Sequence, residues 1–354
     1  MMNTRTIEIV KNDCSQILTQ KHVKTLEKLK NEKIFITGGT GFIGTWLAEL
    51  IAFLNDNYRF NTNMVLMSKN AFSFSSKVPH LTTRKDIVLI EKDIRDFFEL
   101  PDDVSYIIHA AADPDNRKHS SEPIKTMEVI SKGTDSILSA ATRLSNIKSI
   151  LNISSGLIYG GQPFDLERIS ESFHGGPDCD SIVSIYSEAK RYTETLCTAY
   201  RNQFKLPILT ARPFAFLGPY QLIDKPWAIN NFIRDSLLGG PIRILGNENT
   251  VRSYMYASDM AFWFLSILSN GKAGLAYNVG SPNSITLKNL AEKISNNFPN
   301  KIKIVSELPP NKNADKSRFV PDTTLANEFL GLKETVDIED ALRRTITWYH
   351  EFLK

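Results

Sequence analysis

The sequence predicts an α/β protein built on a doubly wound parallel sheet, with a smaller C-terminal α/β lobe. Three observations predict it. Short apolar runs rich in Val, Ile and Leu recur between residues 33 and 279. Stretches with helically spaced apolar residues separate them. A glycine turn, Thr37 to Gly41, joins the first run to the first such helix. Continuous apolar strands belong to parallel sheets buried on both faces, and the intervening helices supply the cover. The crossovers should be right-handed.

The elements follow in order. Met1 to Lys33 carries no signal-peptide core, and Val23, Leu26 and Leu29 among lysines predict an amphipathic helix packed on the surface or on a second subunit. Ile34 to Ile36 reads as a strand, and Phe42, Ile43, Leu47, Ile51 and Leu54 recur at helical spacing. Asn63 to Met67 is a second strand, followed by a polar, irregular stretch from Ser68 to Asp86. Ile87 to Ile90 and Ser105 to His109 are the third and fourth strands, the latter ending in Ala110, Ala111 and Ala112. Residues 122–144 are helical, Ser149 to Ile153 is the fifth strand, 183–203 a long helix and Leu206 to Thr210 the sixth strand. Beyond Gly218-Pro219 the pattern loosens. Helices are expected over 229–239, 258–270, Leu287 to Phe298 and Asp337 to Leu353. Short strands are expected within 241–256, at Ala276 to Val279 and at Ile302 to Val305. The resulting division is a helical extension (1–31), a cofactor domain (32–220, with 258–282 returning to it) and a smaller substrate lobe (221–257 and 283–354) closing over the carboxyl edge of the sheet.

Composition narrows the function classes. The 354 residues are 42% apolar and 23% charged, enough for a sizeable core. A net charge of +3 argues for neither a nucleic-acid nor a membrane partner. No apolar run approaches the roughly 20 residues that span a bilayer. Cys14, Cys179 and Cys197 have no metal-ligand spacing, so no metal is expected. They fit a reduced, cytoplasmic compartment.

Strand, glycine turn and helix together are the setting in which a glycine motif holds a dinucleotide. Gly38 allows the sharp turn, Gly41 lets backbone approach a pyrophosphate, and Gly44 lets the helix pack on the strand. The free amides and dipole at the helix start hold the phosphate charge. Downstream, Tyr186 and Lys190 stand four apart on a helix and share one face. An ammonium near a phenol lowers the phenol's pKa, and such a tyrosine exchanges a proton with a sugar carbonyl or alcohol. Ser155, just past a strand end, offers a hydroxyl to the same oxygen. Tyr and Lys at this spacing are common by chance; their weight comes from the glycine motif upstream and the Ser154-Ser155 strand end.

Three stretches together resemble the extended short-chain dehydrogenase/reductase family, in its nucleotide-sugar epimerase/dehydratase/reductase branch. They are Thr37-Gly38-Gly39-Thr40-Gly41-Phe42-Ile43-Gly44, Ile153-Ser154-Ser155-Gly156-Leu157-Ile158-Tyr159-Gly160 and Tyr186-Ser187-Glu188-Ala189-Lys190. Arg212-Pro213-Phe214, Gly218-Pro219, Arg252-Ser253-Tyr254 with Asp259, Tyr277-Asn278-Val279-Gly280 and Pro321-Asp322 also match, so the resemblance covers about residues 32–354. It implies a Rossmann domain with NAD or NADP, a nucleoside-diphosphate sugar under the smaller lobe, and a homodimer. It assigns Tyr186 as acid/base, Lys190 to the nicotinamide ribose and Ser155 to the reacting oxygen. Gly38, Thr40, Gly41, Phe42, Ile43 and Gly44 would hold the cofactor, with Asp93 and Ile94 flanking the adenine and Ala110, Ala111 and Ala112 lining it. Arg252 either meets the sugar nucleotide's diphosphate, which suits a planar cation, or is a surface arginine in a hairpin.

Three departures from the family pattern matter. The 4,6-dehydratases of the family carry an Asp-Glu pair after the serine, and the sugar-acid decarboxylases a glutamate at the second position. Here Gly156 and Leu157 stand there, which disfavours both activities. The second strand ends in Ser68 and Lys69 rather than an acidic residue for the ribose 2′-hydroxyl. That favours NADP over NAD, unless Lys69 is a solvated loop residue. Ala215 stands where the branch often has a substrate-binding asparagine. What remains is hydride transfer at the sugar ring. The reading is an NADPH-dependent reductase of a 4-keto-6-deoxy sugar, dTDP-4-keto-6-deoxyglucose first, in polysaccharide or other glycoconjugate synthesis. A 4-epimerase with retained NAD follows closely. A cofactor-binding sensor without turnover is the reading from another class. His109 is expected as a packed histidine, His119 and His174 as loop residues, and Trp227, Phe232 and Trp263 as core.

Overall fold

The computed structural model describes residues 3–96, 99–306 and 317–354. A seven-stranded sheet organises it: β1 (Lys33–Thr37), β2 (Asn63–Ser68), β3 (Ile87–Glu91), β4 (Tyr106–His109), β5 (Ser149–Ile153), β6 (Ile208–Pro213) and β7 (Ala276–Val279). Their order is β7-β6-β5-β4-β1-β2-β3, and every neighbouring pair is parallel. The chain winds outward from β1 in one direction and from β4 in the other. The crevice between those two strands is therefore the topological switch point, where such sheets bind ligands.

Alternation along each strand feeds two cores. Ile34 and Ile36 of β1 enter one cluster and Phe35 the other; Leu151 and Ile153 of β5 enter the first and Ile150 the second. Helices Phe42–Tyr58, Ala257–Asn270 and Ile338–Leu353 contribute to the first cluster, and Pro123–Ala141 and Ile185–Phe204 to the second. The strand at 206–210 begins two residues later than expected, because Leu206 and Pro207 turn the chain in before Ile208 pairs with Ile150.

Two regions differ from expectation. The stretch from Ser68 to Asp86 is not irregular: Ala71–Ser75 and Pro79–Thr82 are short helices whose Phe74 and Leu81 are buried. The N-terminal extension carries more helix than expected, with one face buried and Arg5, Glu8, Lys11 and Asn12 exposed on the other. Thr4–Ile17 forms a helix ahead of the expected one, and Val10, Cys14, Ile17, Leu18, Leu26 and Leu29 are all core residues. Its Asp13 carboxylate accepts hydrogen bonds from Tyr256 Oη (2.6 Å) and Arg344 Nη1 (2.7 Å).

The later segments add small sheets. Val251–Arg252 pairs antiparallel with Ile285–Thr286 and parallel with Arg318–Phe319, and Ile242–Ile244 pairs with Ile304–Ser306. No helix among the described residues is long and apolar enough to cross a membrane.

Candidate active site

The glycine turn closes at the switch point. Gly38 takes φ +66°, and a Cβ there would lie 2.6 Å from the Ala110 carbonyl oxygen, so turn and Ala110–Ala112 segment pack backbone to backbone. Ala110 N donates to Thr37 O and to Thr37 Oγ1, which fixes the contact. Gly44 packs on the turn rather than on the strand, for its Cβ would come within 2.4 Å of Gly39 O. Gly41 is the exposed N-cap of the Phe42–Tyr58 helix, and no side chain caps it. A Cβ on Gly41 would touch only Gly38 O, at 3.2 Å. An uncapped helix start behind an open glycine edge fits a dinucleotide pyrophosphate, with Thr40, Phe42 and Ile43 half-buried around it.

The next positions lie at neighbouring strand ends. Ser68 closes β2, and Lys69 follows it, exposed. The Lys69 charge reaches Asp93, whose carboxylate is bound by Arg95 through Nε (3.0 Å) and Nη2 (2.8 Å). The Arg95 bonds hold Asp93 at about 2. Ile94 is buried against Gly133.

Ser155, Tyr186 and Lys190 converge beyond β5. Tyr186 and Lys190 are 7% and 3% exposed. Lys190 Nζ donates to Ile153 O at 2.7 Å and stands 5.9 Å from the centre of the Tyr186 ring. Ser155 caps the short Gly156–Tyr159 helix by accepting from Leu157 N (3.1 Å). Burial dominates the electrostatics. It pushes Tyr186 well up, against a side-chain hydrogen bond to Ser155 that works downward, and it draws Lys190 down to about 8. Burial is the first cause, and the Asp113 charge adds to the rise, so in this arrangement the phenol stands above its ordinary value rather than below it as the Tyr-Lys spacing predicts.

The other motif residues tie the walls of the site to the sheet. Arg212 binds Glu194 through Nε (3.1 Å) and Nη2 (2.7 Å) and donates to Tyr159 Oη (2.8 Å). Tyr159 donates to Asn278 Oδ1 (2.8 Å), and Asn278 Nδ2 donates to the carbonyls of Ile169 and Asp322. Two loops far apart in sequence are thereby fastened to the end of β7. Asp259 is fully buried and receives Thr335 N, Thr335 Oγ1 and Val336 N.

Arg252 is half-buried, and among the described residues it donates to Val251 O and to Ser317 rather than to a carboxylate. Burial lowers its pKa. Its register partner Phe319 stacks on Phe214 (4.4 Å), whose ring covers Gly156: a Cβ on Gly156 would lie 2.7 Å from it. Leu157 beside it is 48% exposed.

The histidines divide. His109 is packed as expected, bonded to Thr37 Oγ1 (2.8 Å) and Thr134 Oγ1 (3.0 Å), and burial takes it down to about 3. His119 is not a loop residue. It lies on the helix Asn116–Ser121, buried, with its ring stacked on Tyr186. Nothing local marks it, because the contact joins two distant segments. Phe232 and Trp263 are core, and Trp227 is the half-buried N-cap of Ala228–Leu237.

The profile of the NAD dependent epimerase/dehydratase family matches residues 34–280. The chain belongs to that family. It is an enzyme of the nucleotide-sugar short-chain dehydrogenase/reductase type. UDP-glucuronic acid decarboxylase 5 of Arabidopsis thaliana is 30% identical over 315 residues, which is 88% of this chain and 87% of that protein. UDP-glucuronic acid decarboxylase 1 of Danio rerio is 27% identical, over 95% of this chain and 77% of that one. The fold is that of a UDP-glucose 4-epimerase from Thermotoga maritima solved with UDP-glucose, with TM-score 0.76, 22% identity, and coverage of 91% of this chain and 100% of that one. A UDP-glucuronic acid 4-epimerase variant from Bacillus cereus, solved with NAD and a fluorinated sugar nucleotide, aligns with TM-score 0.75 and 23% identity over 90% of this chain and 99% of that one.

Proposed function

We propose that this enzyme is an NADPH-dependent reductase of the C4 carbonyl of a nucleoside-diphosphate 4-keto-6-deoxyhexose, with dTDP-4-keto-6-deoxyglucose the first substrate to try. One observation carries the reading: the two positions after Ser155 hold no titratable group. Gly156 lies under the Phe214 ring, and Leu157 offers an apolar side chain. Eliminating water or decarboxylating a sugar acid needs an acid or base beside the ring. Exchanging a hydride and a proton at C4 needs only the Ser155, Tyr186 and Lys190 group. An apolar wall also suits a 6-methyl group better than a 6-carboxylate.

NADPH, when bound, would supply the hydride. Tyr186 would give its proton to the C4 oxygen, so that the ketone becomes an alcohol. Ser155 donates to the same oxygen. Lys190, held by the Ile153 carbonyl, binds the nicotinamide ribose and returns a proton toward Tyr186. Arg252, which among the described residues bonds Val251 O and Ser317 and no carboxylate, takes the diphosphate. Exposed Lys69 at the end of β2 takes the ribose 2′-phosphate. In this reading the smaller lobe expected from residues 221–257 and 283–354 holds the sugar, and the assembly is a homodimer.

A 4-epimerase with retained NAD uses the same three residues and differs in never exchanging its cofactor. The test is NADPH or NADH consumption with freshly made dTDP-4-keto-6-deoxyglucose. Oxidation of NADPH in proportion to sugar supports the reductase. Preference for NADH removes the role of Lys69. No oxidation, with NAD retained through purification and UDP-hexoses interconverted, supports the epimerase. Tyr186→Phe should lower either rate on the order of 10²-fold or more; a parent protein that binds cofactor and turns over none of these sugars, with Tyr186→Phe changing nothing measurable, would leave the sensor.

A further inference from the structure

Tyr186 must present its hydroxyl to a reacting oxygen at one angle, yet its backbone bonds fix only the helix it stands on. The side chain retains two torsions, and the second is broad for a ring. What limits the ring is its packing. Ile130, Ala189 and Ala112 form a small apolar cluster with it. Ser155 bonds the hydroxyl and Lys190 stands 5.9 Å from the ring centre, while the flat face is met by His119, whose imidazole lies parallel to the phenol ring, with centroids 4.5 Å apart and planes 8° apart. Both rings are buried, at 5% and 7% exposure.

His119 is itself held. Its Nε2 lies 2.7 Å from the Asp113 carbonyl oxygen. A carbonyl only accepts, so Nε2 carries a hydrogen and the tautomer is set. The Asp113 carboxylate is bound by Lys118 (2.6 Å) and by Lys225 (2.9 Å), which comes from the segment after β6. The imidazole is thus anchored at one edge and lies with its face on the phenol.

We infer that His119 is the positioning residue that sets the plane of the Tyr186 ring for proton transfer. The inference rests on Tyr186 being the general acid of the proposed reaction. His119 acts through Tyr186 and touches no reacting atom in this role. Its chemistry is that of a flat, edge-anchored surface: the ring contact matters, and the N–H serves to hold the ring.

Three variants separate ring from hydrogen bond. His119→Phe keeps a flat face and loses the N–H. His119→Asn keeps a donor for Asp113 O and loses the face. His119→Ala loses both. With full-length enzyme and bound cofactor, Asn and Ala should lower kcat by about 10- to 100-fold, the scale of a misplaced catalytic group. KM for the sugar nucleotide should stay within about threefold of the parent's, since binding contacts are untouched. The Phe variant should recover kcat to within about threefold of the parent, because the stacked plane is restored. Cofactor affinity and thermal midpoint, measured on all three, identify any variant that has lost its fold, and the Phe–Asn comparison decides between those that have not. Asn matching the parent while Phe fails would overturn the inference in favour of the Asp113 bond alone. An equal loss in Phe and Asn, or no loss in Ala, would overturn it as well. Tyr186→Phe in the same assay keeps the two readings apart. If that variant retains its rate, the proposed chemistry fails; if it loses its rate while His119→Ala does not, only the role of His119 fails.

Discussion

His109 sits at the carboxyl end of β4 with both ring nitrogens bonded to threonine hydroxyls, and burial holds it neutral down to about pH 3. Its unfolded value is the ordinary 6.5. As pH falls through that window the unfolded chain takes up a proton that the folded chain refuses. The contribution to stability is therefore complete above about pH 6.5 and is lost toward pH 3, at about 1.4 kcal/mol per pH unit. His109→Gln should flatten the fall in denaturant stability between pH 6.5 and 4; an unchanged slope would show that another group carries it. A second residue-scale expectation concerns the glycine turn. A Cβ on Gly44 would strike Gly39 backbone, whereas one on Gly161 would meet nothing within 4 Å. Gly44→Ala should cost roughly 1–3 kcal/mol and weaken dinucleotide binding, while Gly161→Ala should stay within about 0.5 kcal/mol. Equal effects at the two glycines would remove the packing argument.

At the scale of elements, the walls of the site are held by side chains rather than by further sheet. Asn278, at the end of β7, accepts from Tyr159 and donates to the carbonyls of Ile169 and Asp322. It is fully buried. Asn278→Ala removes all three bonds, and although Tyr159 keeps Arg212 and the Ile169 carbonyl keeps Asp322 N, the variant should lose roughly 1–3 kcal/mol. The variant should be cleaved faster by protease within 161–181 while the glycine-turn half keeps its cofactor. Unchanged cleavage would mean that the segment is held by its apolar contacts, chiefly Ile169 and Phe173. The same ties explain why motif residues such as Arg212 and Asn278 were legible in the sequence while their work was not. A pattern names the residue, but the partner lies on another segment.

Across the whole molecule, Asp13 joins the two ends of the chain. The N-terminal helix brings the carboxylate, the C-terminal helix brings Arg344, and Tyr256 completes the site. Burial raises the Asp13 carboxyl, and the tyrosine and arginine oppose that rise. Removing one partner of a buried pair strands the other, which typically costs about 3–5 kcal/mol. Asp13→Ala should show a loss of that order in urea unfolding. Asp103→Ala, which breaks a pair with Lys33 near the surface, should cost under about 1 kcal/mol. Similar losses at both sites would mean that the N-terminal helix is held by Val10, Cys14 and Ile17 rather than by its charge.

The amino-acid pattern by itself determined the parallel sheet, its strands and the glycine turn, and it named Ser155, Tyr186 and Lys190 as the candidates for chemistry. Each is written in local periodicity or in short motifs, and a strand's burial on both faces leaves a continuous apolar run that needs no partner to be read. Only the tertiary structure decided three things. It packed one face of the N-terminal helix, through Val10, Cys14 and Ile17, against the first core cluster, because amphipathic spacing says that a face is buried but not against what. It raised the Tyr186 phenol and lowered the Lys190 ammonium, because desolvation depends on everything packed around a group and not on the neighbour four residues away. It laid His119 on Tyr186, a contact between segments that the chain's local order does not record.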